Sequence, residues 1–159
     1  MLFRSNPGDQ NLYIQTCTLD NTLSPCNNSP SFLNDPVPFF CVGQQVNYNH
    51  GVIDVDGDSL VFSSSQPLGG AGSGVPYSGG LSAGNPFVVS GGPFSINSVN
   101  GDIRFTPSQQ QIGVMAIRVD EYRNGALIGC VTRDMQFTII PCNNTQPTAS
   151  GVKIGRAHV

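Results

Sequence analysis

Residues 113–140 read GVMAIRVDEYRNGALIGCVTRDMQFTII, and the fold turns on how this stretch is read. From Gly113 to Val119 the apolar residues alternate, the period of a half-buried strand. Asn124-Gly125 then offers a turn, and residues 126–140 continue as a long final strand carrying a bulge. No part of the stretch has the 3.6-residue apolar spacing of a helix. Working back toward the N-terminus, 94–99 and 102–106 make a hairpin across Asn100-Gly101. That dipeptide predicts a type I′ turn, in which both central residues take positive φ. Further strands are expected at 12–19, 39–42, 45–53 and 60–64, with a short edge strand at 87–89. The glycine-rich run from Gly69 to Gly84 reads as a flexible crossing. The sum is an all-β chain of about seven antiparallel strands in two packed sheets, a β-sandwich.

Composition agrees with that class. Only 11% of the residues are charged, against roughly 25% in an average soluble domain. Nineteen glycines and twelve prolines favour turns over helices. The two ends are set aside, because residues 2–5 (LFRS) and 153–159 (KIGRAHV) resemble translations of paired sequencing adapters. What remains has four arginines and no lysine against ten acidic residues, a net charge of −6. Such a surface is a poor match for nucleic acid or an anionic membrane. No apolar run approaches the 18 or so residues of a spanning helix.

The five cysteines (17, 26, 41, 130 and 142) include no CxxC pair, so disulfides in an oxidising compartment explain them better than zinc. Cys26 and Cys41 bracket a proline-rich stretch and form the expected bridge. Pro25-Cys26-Asn27-Asn28-Ser29 recurs as Pro141-Cys142-Asn143-Asn144-Thr145, 116 residues later. Each copy marks the seam between successive repeats of a tandem array. The expected organisation is then residues 6–26 as the end of a preceding repeat with its linker, 27–140 as one sandwich unit and 141–152 as the start of the next linker. Residues 1–5 and 153–159 are expected to be adapter-derived.

Asp54-Val55-Asp56-Gly57-Asp58 is the densest chemical signal. Carboxylates at alternate positions around a glycine turn suit Ca²⁺, which takes six to eight oxygen ligands. An EF-hand would need glycine sixth and glutamate twelfth; here glycine is fourth and the twelfth residue is Ser65. In a sandwich whose second and sixth strands run the same way, the following loops share one end. That expectation adds Asp120 and Glu121 to Asp54, Asp56 and Asp58 as a calcium site. The competing reading is a solvated turn in which Asp and Gly satisfy backbone geometry.

The run DVDGDSLVFS, then NGDIRFTPSQQQIGVMAIRVDEYRNG and a closing apolar strand, resembles bacterial cadherin-like and immunoglobulin-like repeats. PCNNSPSF, VPFFCVGQQVNYNHG and EYRNG resemble repeats of large Bacteroidetes surface proteins that end in gliding-motility-associated, type IX secretion sorting domains. The resemblance covers residues 26–140. It implies an immunoglobulin-like or cadherin-like sandwich in a secreted, cell-surface protein, with a structural or adhesive role. Its partners would be neighbouring repeats of the same chain, surface glycans or other surface proteins.

Other chemistry is thinly represented. His50 is the one histidine outside the set-aside ends, and a nucleophile without a base and an orienting group is inert. His50 reads as a surface or packing residue, and the chain as no enzyme. The Gly69–Gly84 run lacks the Gly-Lys-Ser/Thr ending of a phosphate loop. Tyr48, Tyr77, Tyr122 and Phe87 are the residues from which a sugar-binding platform would be built. A carbohydrate-binding accessory module of a secreted hydrolase is therefore the alternative function.

Overall fold

The computed structural model describes residues 22, 25–35, 37, 39–70 and 72–143. The strand expected at 12–19, Cys17 and both adapter-like ends lie outside them. Within them the chain is all β, with eleven strands and no helix. The strands are β1 (Ser31–Phe32), β2 (Phe39–Cys41), β3 (Val46–Tyr48), β4 (Val52–Ile53), β5 (Ser59–Ser65) and β6 (Leu68–Gly70). They continue as β7 (Ser73–Gly74), β8 (Ser95–Ile96), β9 (Ile103–Phe105), β10 (Gln111–Arg123) and β11 (Ala126–Ile140).

The β10–β11 hairpin is the backbone of the fold. Asn124 and Gly125 both take positive φ, 53° and 80°, and Arg123 faces Ala126 across a two-residue turn. Ladder pairing then runs from there to Gln111 opposite Ile139. The bulge falls where Glu121 faces Gly129 and Tyr122 faces Leu127, leaving Ile128 as the extra residue on β11. β5 pairs antiparallel along the other edge of β10, and β2 joins β11 in parallel, so the main sheet is ordered β2-β11-β10-β5. One neighbour in this sheet is thus parallel, where every strand was expected to be antiparallel. A second sheet is ordered β3-β9-β8, and β1-β4 and β6-β7 are two-stranded pairs.

Side chains from the two larger sheets fill a single core, an arrangement compatible with a sandwich. Met115, Ile117, Val119, Met135, Phe137 and Ile139 come from β10 and β11; Val46, Tyr48, Ile103 and Phe105 come from the second sheet. Phe87 stacks on Phe105 and Phe137, with ring centroids 4.9 and 5.5 Å apart. Gly113 makes that stack possible, because a Cβ there would lie 2.5 Å from the Phe87 ring. The buried Gln111 side chain receives the Val88 N–H and donates to the Val88 carbonyl, both at 2.9 Å. It thereby supplies an acceptor for the Val88 N–H, while the Val88 carbonyl also receives the Ser108 amide at 3.1 Å.

Several local expectations change. The strand foreseen at 45–53 breaks into β3 and β4, because Asn49 turns its side chain onto the Gly51 N–H and Gly51 takes φ 60°. The 87–89 segment makes one isolated bridge, Val89 to Pro107, and is no strand. At Asn100-Gly101 only the glycine has positive φ, so the turn is not type I′. Asn97 closes a longer loop there, accepting from the Val99 and Asn100 amides. The glycine-rich crossing contains the β6-β7 pair and packs on the outer face of β10, where Tyr77 donates to the Val114 carbonyl and Val75 is buried.

Cys41 bonds Cys142, not Cys26. The parallel register sets Cys41 beside Ile140, two residues short of Cys142, and the Cα atoms of the pair are 5.4 Å apart. Cys26 is exposed with a free thiol, and Cys130 is also disulfide-bonded. Spacing in the sequence favoured the nearer cysteine; strand pairing chose one 101 residues away.

Candidate functional site

The Asp54–Asp58 turn follows β4 directly and leads into β5, at the end of the main sheet where β10 turns into β11. Gly57, with φ 79°, lets the chain reverse. Asp54 organises the turn from within: its Oδ1 accepts the amides of Asp56 and Asp58, each at 3.0 Å. One oxygen from each of Asp54, Asp56 and Asp58 lies within 4.8 Å of the others.

β10 divides the other two expected ligands between its faces. Glu121 shares the inward parity of Ile117 and Val119 and is fully buried. It lies beside Asp58 and near Asp54. Asp120 points the other way and is held by Arg118, with Nε and Nη2 both 2.7 Å from its Oδ1. The structure therefore brings together Asp54, Asp56, Asp58 and Glu121, and leaves Asp120 out. Neighbouring positions on a strand cannot serve one small site, which is why adjacency in sequence misled.

Three residues that the acidic pattern did not flag complete the pole. Arg123 grips Asp58 with two bonds, from Nε at 2.6 Å and from Nη2 at 2.5 Å. Its Nη2 also donates to Asn27 Oδ1 at 2.8 Å. Asn27 Nδ2 donates to Glu121 Oε1 at 2.6 Å, and the Asn28 amide donates to Asp56 Oδ2 at 2.6 Å. The last contact follows from strand register: Ser31 pairs with Ile53, and three more antiparallel steps set Asn28 opposite Asp56. A kink at Cys26, with φ 66°, precedes the two asparagines. The signal for them was present in the repeated Pro-Cys-Asn-Asn motif, whose meaning as a ligand segment needed the register.

Charge is unevenly settled. Arg123 pulls the Asp58 carboxyl below its ordinary range. Burial pushes Glu121 up, and its neighbours Asp58 and Asp54 push the same way against the Asn27 bond. Two buried oxygens, Asp54 Oδ2 and Glu121 Oε2, have no donor among the described residues. Carboxylate oxygens in that state are stabilised by a proton, a water or a cation. An all-oxygen set of this kind could hold a hard cation such as Ca²⁺, although exposed acidic groups like these are common without one.

His50 lies elsewhere and is not at the surface. It is 1% exposed, edge-on to Tyr48 and Phe32 with centroids 4.9 and 5.6 Å away. Burial and the nearby Arg133 lower its pKa to about 4. Phe87 and Tyr48 are core residues, and Tyr77 is engaged with β10, so the four aromatics do not assemble an open platform. No protein-family model matches the chain, and neither the curated proteins nor the solved structures contain a match to it.

Proposed function

We propose that this chain is a non-catalytic, immunoglobulin-like or cadherin-like repeat of a secreted, multidomain bacterial surface protein, serving as a structural or adhesive spacer. Calcium bound at the acidic pole would stiffen its junction with the neighbouring repeat. The observation that carries the cation is the pair of donorless buried oxygens, Asp54 Oδ2 and Glu121 Oε2, next to Asp56 and Asp58. Disulfides at Cys41–Cys142 and Cys130 support an oxidising compartment. The non-catalytic reading is supported by the position of His50, which is sealed among aromatic rings where no substrate reaches it. The burial of Phe87 and Tyr48 counts against the carbohydrate-binding alternative.

Thermal unfolding with millimolar Ca²⁺ and with a chelator tests the reading, since a ligand that binds only the native state must raise its stability. Calcium is expected to raise the melting temperature and to slow proteolysis at residues 25–30, whose asparagines hold the site carboxylates. Identical melting and cleavage in both buffers would remove the cation.

A further inference from the structure

We infer that the Pro-Cys-Asn-Asn segment is a two-sided clamp between successive copies of this domain. Its cysteine fastens it to the copy it leaves, and its asparagines fasten it to the acidic pole of the copy it enters. The inference rests on the tandem-repeat reading above and deepens it by naming the docking surface and its occupant.

Each half of the clamp is visible once in the chain. At residues 141–143 the segment has just left β11, and Cys142 is bonded to Cys41 of the same domain. At residues 25–28 it is about to enter β1, and Asn27 and Asn28 hold Glu121, Arg123 and Asp56. The two copies of the motif sit at opposite ends of the body. The acidic pole is at the Ala126 end of β11 and the disulfide is just past its Ile140 end; fifteen residues lie between, roughly 50 Å of extended chain. A segment leaving one end of a domain and received at the other end of the next gives a head-to-tail, non-closing arrangement, the geometry of a fibre.

The free thiol of Cys26 fits the same scheme. Cys26 occupies the motif position of Cys142, 116 residues earlier. Its partner would be the residue equivalent to Cys41 on the preceding copy, and among the described residues it is exposed and unpaired. Cys41 of its own domain is already taken by Cys142. The surface that receives the segment is specific in chemistry. It presents the carboxylate acceptors Glu121 Oε1 and Asp56 Oδ2 together with the Arg123 guanidinium, and a side-chain amide both donates and accepts there.

The test is a two-copy chain made by joining residues 1–142 directly to residues 27–159, so that one seam serves both domains at the natural 116-residue offset. Two readouts are taken: non-reducing peptide mapping of the seam cysteine, and the rate of protease cleavage at the seam. The bond is expected to run to Cys41 of the first copy. Replacing both seam asparagines by alanine should speed seam cleavage at least tenfold, while cleavage within either body stays unchanged. Glu121→Gln in the second copy preserves an acceptor oxygen and should retain protection; Glu121→Ala should lose it. A bond to Cys41 of the second copy, or equal cleavage with and without the asparagines, overturns the clamp. Each rate is measured with Ca²⁺ and with chelator. A protected seam without any calcium effect refutes the cation alone; a calcium effect with an unprotected seam refutes the docking alone.

Discussion

Lowering the pH from 7 to 4 should weaken this domain through one residue, His50. Its ring is sealed between Phe32 and Tyr48, both ring nitrogens lack a partner among the described residues, and Arg133 adds a nearby positive charge. Burial first and Arg133 second lower its pKa from 6.5 to about 4. The folded state therefore holds a neutral ring where the unfolded chain binds a proton. A group depressed in this way contributes stability that is complete above pH 6.5 and is lost as pH falls toward 4. A shift of this size corresponds to about 2 kcal/mol lost between pH 7 and 5 and about 3 kcal/mol by pH 4. Two carboxylates act over neighbouring windows. Glu121, raised by burial, works in the opposite sense, gaining stability as pH falls toward its ordinary value. Asp58, depressed by Arg123, loses its contribution only below the ordinary Asp range. The measurement is therefore a difference. Urea unfolding of the wild type and of His50→Phe, disulfides intact, is followed at pH 7, 6, 5 and 4.5. Phenylalanine keeps an aromatic edge for Phe32 and Tyr48 and removes two orphaned nitrogens, so it should be neutral or stabilising at pH 7. Its advantage should then widen by about 2 kcal/mol at pH 5. Parallel curves for the two proteins would refute a neutral, buried His50.

Cys142→Ser opens a loop spanning 101 residues and should cost about 4–5 kcal/mol in urea unfolding; the Cys26→Ser variant should unfold like the wild type. Gly113→Ala places a methyl 2.5 Å from the Phe87 ring and should destabilise by about 1–3 kcal/mol, with loss of near-ultraviolet aromatic circular dichroism. Glu121→Gln removes an acid whose charged form is disfavoured by burial and by Asp58 and Asp54. In chelator at pH 7 it should melt higher than the wild type, and its response to added Ca²⁺ should shrink, as read by calorimetry.

Local chemistry was legible in the sequence. Period-two alternation marked β10 and β11, and residues 126–140 were bounded as observed, because side-chain alternation is a property of each strand by itself. The Asp-rich turn was legible for the same reason: Asp and Gly satisfy that backbone without help from elsewhere. Everything that depended on register was decided by tertiary structure. Asn-Gly became a two-residue hairpin turn at 124–125, where long strands pair on both sides, and not at 100–101, where Asn97 closes a wider loop. Cys41 found Cys142 through the parallel β2–β11 ladder, a contact whose partners no spacing rule links. Glu121 joined the acidic pole and Asp120 did not, because one step along a strand exchanges core for outer face. His50 was buried by rings from 18 residues upstream and two residues upstream at once. Composition and alternation set which segments extend; only their pairing determined which carboxylates, cysteines and asparagines meet.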